Sequence, residues 1–433
     1  MHIFKATCWF VLGLLLFMLS CAPGDSPGDR QVIRFMFWGG FKDMSIWREM
    51  KRLYEAKYPD RFIKLELVAG RYEDKLSLSF IGGKAADVIM LDDDHFKMNA
   101  FSGNLLELTS YINRDREQLE LNDFFKNSLE AFQLGGKQYG MPWDCFSVIL
   151  FYNKDLFDKY NLKYPSENYT WDDLLHAAQT MTRDLDGDGY RDQFGFNFGL
   201  SRLNLTPIMW TFGGGLLTKD WEYSALGTPE SRQAIDFIRD MLYKYEICPR
   251  SEDMADMNDY IMLLTGRVGI IMSGAYTIDH IRSIGQGMAW DIAPLPTGPA
   301  GTFSRAAFDG LGINAQSTVK QEAWDFIKIV LSSQGQEFLG RRAKSVPIKI
   351  SDAMTYYVRS DTPQNEEIVI QGLQNCGRTM PQIVAQGNLA LLVGQHFQEI
   401  MMPDADVSKE IKLADEAINK LLKEVREKYP TWK

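Results

Sequence analysis

Most of the common equipment of catalysis and membrane crossing is missing from this chain. Beyond its first twenty residues no apolar run approaches the roughly 20 residues that span a bilayer. Cysteine is scarce, five in 433 residues. Only Cys145, Cys248 and Cys376 lie past residue 21, odd in number and far apart. That spacing suits neither a disulfide framework nor a CxxC metal site, and buried free thiols are the favoured reading. The five histidines (2, 95, 176, 280 and 396) show no ligand spacing. HExxH, a P-loop, GxGxxG and a Ser/His/Asp order are all absent, so no motif chemistry of those kinds is expected. Basic residues are in deficit, 47 Lys and Arg against 57 Asp and Glu, for a net charge of −10. Nucleic acid, whose phosphates need a basic footprint, is excluded as a partner.

What is present is the composition of a soluble globular protein, 45% hydrophobic and 24% charged. The first segment, "MHIFKATCWFVLGLLLFMLSC", has a basic start at Lys5, a short apolar core and a small residue, Ser20, before Cys21. This is the pattern of a signal peptide over residues 1–20 rather than of a spanning helix. Met18-Leu19-Ser20-Cys21 resembles a bacterial lipobox, in which the cysteine becomes the lipidated first residue. Met18 stands where a leucine is usual, which leaves ordinary signal-peptide cleavage as the alternative. Residues 21–31, rich in Gly, Pro, Ser and Asp, are expected to be a lipid-anchored stalk. The protein is therefore expected to be exported and held at the cell envelope by lipid alone, on a periplasmic or extracellular membrane face. The remaining chain of about 410 residues is long for one domain and suggests two.

Along that chain, strand-like and helix-like patterns alternate. "QVIRFMFWGG" reads as a buried strand and turn, and Met44, Trp47, Met50, Leu53 and Tyr54 follow at helical spacing. "FIKLELVAG" is a second strand and "ADVIMLDDD" a third, which ends in acids. The order β-α-β-α-β points to a parallel sheet flanked by helices, an α/β fold. "SVILFYN" (147–153) and "VGIIMSG" (268–274) read as further strands. The last helix places Val407, Ile411, Ala414, Ile418, Leu421, Leu422 and Val425 on one stripe.

One loop, "RDLDGDGYRDQFGF" (183–196), has its acids in the order of an EF-hand calcium loop. Asp184, Asp186 and Asp188 take positions 1, 3 and 5, Gly189 position 6, the Tyr190 carbonyl position 7 and Asp192 position 9. Gly195 replaces the bidentate glutamate of position 12. A structural Ca2+ is expected here, and a metal-free Asx-rich turn is the alternative.

Five segments carry a wider resemblance: "GGKAADVIMLDDDHF", "GKQYGMPWDCFSVILFYNKDLFDKY", "TWDDLLHAAQTMT", "LLTGRVGIIMSGAY" and "DIAPLPTGPAG". In this order they resemble the solute-binding proteins of ABC importers, in the carbohydrate-binding family that includes the maltodextrin-binding protein. The resemblance implies a two-lobe periplasmic-binding-protein-like fold with a ligand cleft at a hinge. Carried over, residues 32–142 plus 306–344 form lobe 1, and 147–302 plus 349–433 form lobe 2. It implies a monomeric receptor that captures an oligosaccharide or related sugar by hinge closure and delivers it to the importer's membrane subunits.

A sugar cleft needs aromatic platforms for C–H faces, with acids, amides and arginine for hydroxyls. In α/β sheets, ligands lie beyond the carboxyl ends of strands. The candidates at such ends are Trp38 with Gly39, Asp92 and Asp94, Trp143 with Asp144, and Asp309 in "FDGLGIN". Trp210 beside "GGG" and Tyr276 in "MSGAY", where the family places a stacking aromatic, complete the expected set. Each tryptophan also has the plainer reading of a core residue. Two rival functions share these residues. A secreted carbohydrate-active enzyme would pair two of the carboxylates across a sugar, and a lipid-anchored sugar sensor would differ only in its partner. No catalytic residue is expected, because binding alone accounts for the aromatic and acid content.

Overall fold

The computed structural model describes residues 26–250, 253–254, 257–285, 287–342 and 345–430. The leader and Cys21, with its expected lipidation, lie outside the described residues. The chain opens with β1 (Gln31–Trp38), α1 (Phe41–Lys57), β2 (Arg61–Val68), α2 (Tyr72–Ile81), β3 (Val88–Asp92) and α3 (Phe96–Phe101). The long β4 (Gly140–Asn153) leads to α4 (Trp171–Met181), β5 (Phe194–Asn197) and α5 (Arg202–Thr211). Then come α6 (Asp259–Leu264), β6 (Val268–Gly274), α7 (Thr277–Ile284), β7 (Trp290–Ala293) and β8 (Ser304–Ile313). The last part holds α8 (Lys320–Val330), α9 (Ser333–Arg342), β9 (Val346–Pro347), β10 (Gly377–Arg378), α10 (Gln386–Ile400) and α11 (Val407–Lys428).

The expected β-α-β-α-β start is present. β1 and β2 are parallel and in register from Gln31 opposite Arg61 to Trp38 opposite Val68. Local signals set several helix starts: at α4, Thr170 accepts from the Asp173 N–H while the Asp173 carboxylate accepts from the Thr170 N–H. The stripe read from the sequence on α11 is the face that the structure buries.

The principal strands run in the order β2-β1-β3-β8-β4-β6-β5. The strand expected at 147–153 is twice as long, because β4 begins at Gly140. Its first half pairs with β8 and its second half with β6 and β7. Fourteen extended residues cover about 45 Å, enough for one strand to thread both halves of the molecule. β9 pairs with β4 at Cys145 and Asp144, so three segments of the chain cross at this point.

Two apolar clusters form the interior. The larger contains Phe35, Trp47, Trp143 and Trp324, and continues past β4 to Met262, Ile271 and Ile278. The second packs α4, α5, α10 and α11 against the other face of β6, through Ile270 and Met272. Alternate residues of β6 thus feed different clusters, as the period of a strand buried on both faces requires. Among the described residues no helix is long and apolar enough to cross a membrane.

Candidate functional site

β8 is the strand that assembles the site. Asp309 lies opposite Asp92 of β3 on one side and opposite Asp144 of β4 on the other. Directly paired residues share a face at Cβ separations of about 5 Å, so three carboxylates form a row across the middle of the sheet. Burial, and then the neighbouring charges of Asp144, Asp92 and Asp93, push the Asp309 carboxyl well above its usual range. Burial also raises Asp144, against the opposing bonds from the Ser345 hydroxyl and the Asp309 N–H. Asp144 and Asp309, this close and this dry, hold protons, and each held proton makes a carboxyl a donor as well as an acceptor.

Beside the row lies a second polar group. Arg305 of β8 reaches Asp93 Oδ1 at 3.3 Å and Asp94 Oδ2 at 3.1 Å, and Arg202 at the start of α5 reaches Asp94 Oδ2 at 2.7 Å. Burial penalises the charge on Asp94, but the two guanidinium groups overcome it and lower its pKa. Asp93 has the opposite fate: burial raises it, and Arg305 only partly compensates. Several buried atoms here have no protein partner, among them Arg202 Nη1, Arg305 Nε, Asp93 Oδ2, Asp94 Oδ1 and Asp144 Oδ1. On the more open side, His95 Nδ1 sits 2.8 Å from Asp92 Oδ2. That hydrogen bond raises His95 to about 9. Glu73 is raised to about 7, first by burial and then by Asp92.

These shifts have a stability consequence with a fixed sign. Raised carboxyls bind protons in the folded state that the unfolded chain releases near pH 4, so their contribution is lost as pH rises through the folded values. His95 loses its contribution in the same direction, through about pH 9. Lys97, lowered to about 8 by burial, acts oppositely only above that pH. The urea midpoint is therefore expected to fall between pH 6 and pH 8.5, by the equivalent of about 1–2 kcal/mol. A midpoint that rises over this interval contradicts the raised carboxyls and the raised His95.

The aromatic residues separate into half-buried and core positions. Trp38, at the end of β1, is half-buried and meets Tyr72 edge-on with ring centroids 5.0 Å apart. Tyr276 is also half-buried and meets Phe146 of β4 edge-on at 5.2 Å. Trp143, expected as a ligand platform, is instead a core residue. It is 2% exposed and packs on Trp47 with centroids 4.6 Å apart. Asp144 beside it is 4% exposed and bonded to Ser345, so it acts through the carboxyl row rather than at an open face. Trp210 is a third correction: 7% exposed, it belongs to the second cluster, with the Arg378 guanidinium 5.9 Å from its ring. Gly39 is required by the protein itself. At φ 142°, a side chain there would meet the Asp43 carboxylate at 2.4 Å, and that carboxylate accepts from the Gly40 N–H at 2.6 Å.

Trp38 ends β1, Asp92 ends β3, Tyr276 follows β6, Asp309 lies within β8, and Asp94 is engaged by the two arginines. Sequence reasoning missed Phe146, Glu73, His95, Arg202 and Arg305. A local signal existed only for His95, which directly follows the acidic run, and for Phe146, which alternates with inward Cys145 and Ser147 on β4.

The acidic loop lies elsewhere. It enters β5, whereas Arg202 and the polar group lie beyond the exit of β5. Carboxylate oxygens of Asp184, Asp186 and Asp188 come within 4.8 Å of one another. Asp184 accepts from the N–H groups of Gly187 (2.7 Å) and Gly189 (2.9 Å), and Asp188 accepts from Tyr190 N–H (2.8 Å). Asp192 holds the Leu185 N–H at 2.7 Å. The hard-oxygen set fits Ca2+. Gly195, however, lies inside β5 against the backbone of α4, where no ligand side chain has room.

The family model described as "Bacterial extracellular solute-binding protein" matches residues 38–337. A binding protein of Brucella abortus (strain 2308) is 24% identical over 357 residues, covering 80% of this chain and 84% of that protein. The arabinooligosaccharide-binding protein of Bacillus subtilis (strain 168) is 30% identical over 187 residues, 41% of either chain. An ABC substrate-binding protein from Listeria monocytogenes, solved in complex with cycloalternan, superposes with a TM-score of 0.83 at 22% identity, covering 91% of this chain and 100% of that one. The last likeness establishes the two-lobe fold.

Proposed function

Because the chain belongs to the bacterial extracellular solute-binding protein family, we propose that it is the capture component of an ABC importer for an oligosaccharide. The observation that carries this reading is the pairing of half-buried aromatics, Trp38 and Tyr276 with Phe146, with the row of acids Asp92, Asp309 and Asp144 aligned across the sheet. Aromatic faces take the C–H surface of a pyranose, and carboxyls that both donate and accept suit its hydroxyls. The arabinooligosaccharide and cycloalternan named for relatives support the same ligand class. Lobe 1 is 32–142 plus 306–344 and lobe 2 is 147–302 plus 349–433, with the crossing of β4, β8 and β9 as the hinge. The protein works as a monomer anchored by lipid on Cys21, and the closed form presents both lobes to the membrane subunits. The role is binding without turnover, which the family's character as binding proteins supports.

A thermal-shift screen of the stalkless protein against neutral oligosaccharides tests the ligand class. A ligand stabilises by RT ln(1 + [L]/Kd), so one glycan class is expected to raise Tm while small anions and peptides leave it unchanged. The reverse pattern removes the carbohydrate assignment. Tyr276→Ala is expected to weaken that glycan by about 10- to 100-fold, roughly 1.5–3 kcal/mol, with the fold retained by circular dichroism.

In the acidic loop, Asp184, Asp186, Asp188, Asp192 and the Tyr190 carbonyl would hold a structural Ca2+, which would tie α4 to β5. Chelator is expected to lower Tm by roughly 3–8 °C, with recovery in calcium but not in magnesium. An unchanged Tm in chelator leaves the loop as a metal-free Asx turn.

A further inference from the structure

One face of β8 changes chemical character along its length. Asp309 pairs with Asp92 and Asp144, and Ala307 pairs with Phe146, which Tyr276 meets edge-on. Further back, Arg305 pairs with Arg378 of β10. Paired residues, and alternate residues of one strand, lie on the same face of a sheet. The face therefore runs from acids, past Phe146, to two arginines.

The two arginines are held differently. Arg305 is buried, with Asp93 and Asp94 as its partners. Arg378 is exposed, and its guanidinium lies 3.4 Å from the centroid of the Phe303 ring and 5.9 Å from that of Trp210. Among the described residues it has no carboxylate partner. Partial burial alone moves its pKa, downward, with no neighbouring acid to oppose it. Aromatic rings hold a guanidinium in place without neutralising it, and its N–H donors stay open to an acceptor from outside.

Charge does not balance at this end of the face. Arg202, Arg305 and Arg378 all remain cationic. Asp94 is kept ionised by Arg305 and Arg202, whereas burial raises Asp93 to about 7 and removes part of its charge. Arg202 Nη1 and Arg305 Nε are buried donors with no protein acceptor. In a chain of net charge −10 this is a local excess of positive charge. Asp93 and Asp94 repel an anion from Arg305, so Arg378 is the cation open to one. We propose that Arg378 forms a subsite for the carboxylate of a uronic acid unit, and that the captured glycan is an acidic oligosaccharide with its charged unit toward β10. A carboxylate meets the guanidinium fork through two parallel N–H···O bonds, a match that a single hydroxyl lacks. The inference rests on the carbohydrate reading, because the acid is recognised as one unit of a glycan whose other units meet Phe146 and Tyr276.

Isothermal titration of the mature protein with matched pairs tests it. Each pair is a neutral oligosaccharide of the panel and its counterpart with the primary alcohols oxidised to carboxylates. The acidic member is expected to bind about 10- to 50-fold tighter. Arg378→Gln is expected to bring the ratio of acidic to neutral affinity down to about one, and Arg378→Lys to restore part of it. A neutral member that binds as tightly as its acidic partner, or a ratio indifferent to Arg378→Gln, overturns the acidic subsite and leaves the carbohydrate reading standing. A sulfate ester at the same position that gains as much as the carboxylate overturns the assignment to a uronate. Failure of every neutral and every acidic member to bind removes both readings.

Discussion

Gly195→Ala is expected to abolish folding at 37 °C, and Gly195→Glu, the change that would complete the calcium loop on paper, to do the same. A Cβ at residue 195 would lie 2.0 Å from the Ala178 carbonyl oxygen and 2.2 Å from its Cα. Both obstacles are backbone of α4, so no rotamer relieves them, and α4 and β5 would have to separate. Ala177, Ala178 and Met181 on that helix and Phe194 and Phe196 on that strand are all buried. Separating them exposes core on both sides of the sheet, at a cost above about 4 kcal/mol, which is the range of severe core substitutions. Guanidinium titration of refolded protein measures this directly. A Gly195→Glu protein that folds and binds calcium more tightly would show that the close packing of β5 on α4 is wrong.

Trp143→Ala is expected to cost about 3–5 kcal/mol of stability, the usual range for truncating a buried tryptophan. Glycan affinity of the fraction that still folds should stay within about threefold of wild type, because Trp143 faces Trp47 and not the cleft. Trp143→Phe is the control. The indole N–H has no protein partner, so removing it forfeits no hydrogen bond, and the cost should be well under that of alanine. Chemical denaturation combined with titration calorimetry separates the two effects. A large affinity loss with stability intact would return Trp143 to the ligand site.

The two variants also mark where sequence reasoning works. Element types were legible because buried parallel strands read as apolar runs and surface helices carry one apolar stripe, as in α11. The calcium-type order of Asp184, Asp186 and Asp188 was legible because a loop is a local object. The block at Gly195 was not, since it is set by Ala178 across a helix–strand contact. Trp143 failed for a similar reason. A tryptophan beside an aspartate at a strand end looks the same whether it meets sugar or Trp47, and Trp47 comes from α1 far upstream. Only 147–153 of β4 reads as a strand, and the extension back to Gly140 that carries it between the halves leaves no mark in composition. Arg202 and Asp94 are 108 residues apart, and nothing near either announces the other. The charge row was half visible: the acids were found, but their alignment across β3, β8 and β4 is a matter of register.

The central claim is capture of an intact glycan in the cleft, without chemistry. Its most direct test is isothermal titration of the purified mature protein with the glycan class found by thermal shift, followed by mass spectrometry of the ligand recovered after overnight incubation. The account predicts saturable binding of one glycan per protein and recovery of the ligand at its original mass. Absence of heat across the whole oligosaccharide panel, or recovery of shortened products, would contradict it.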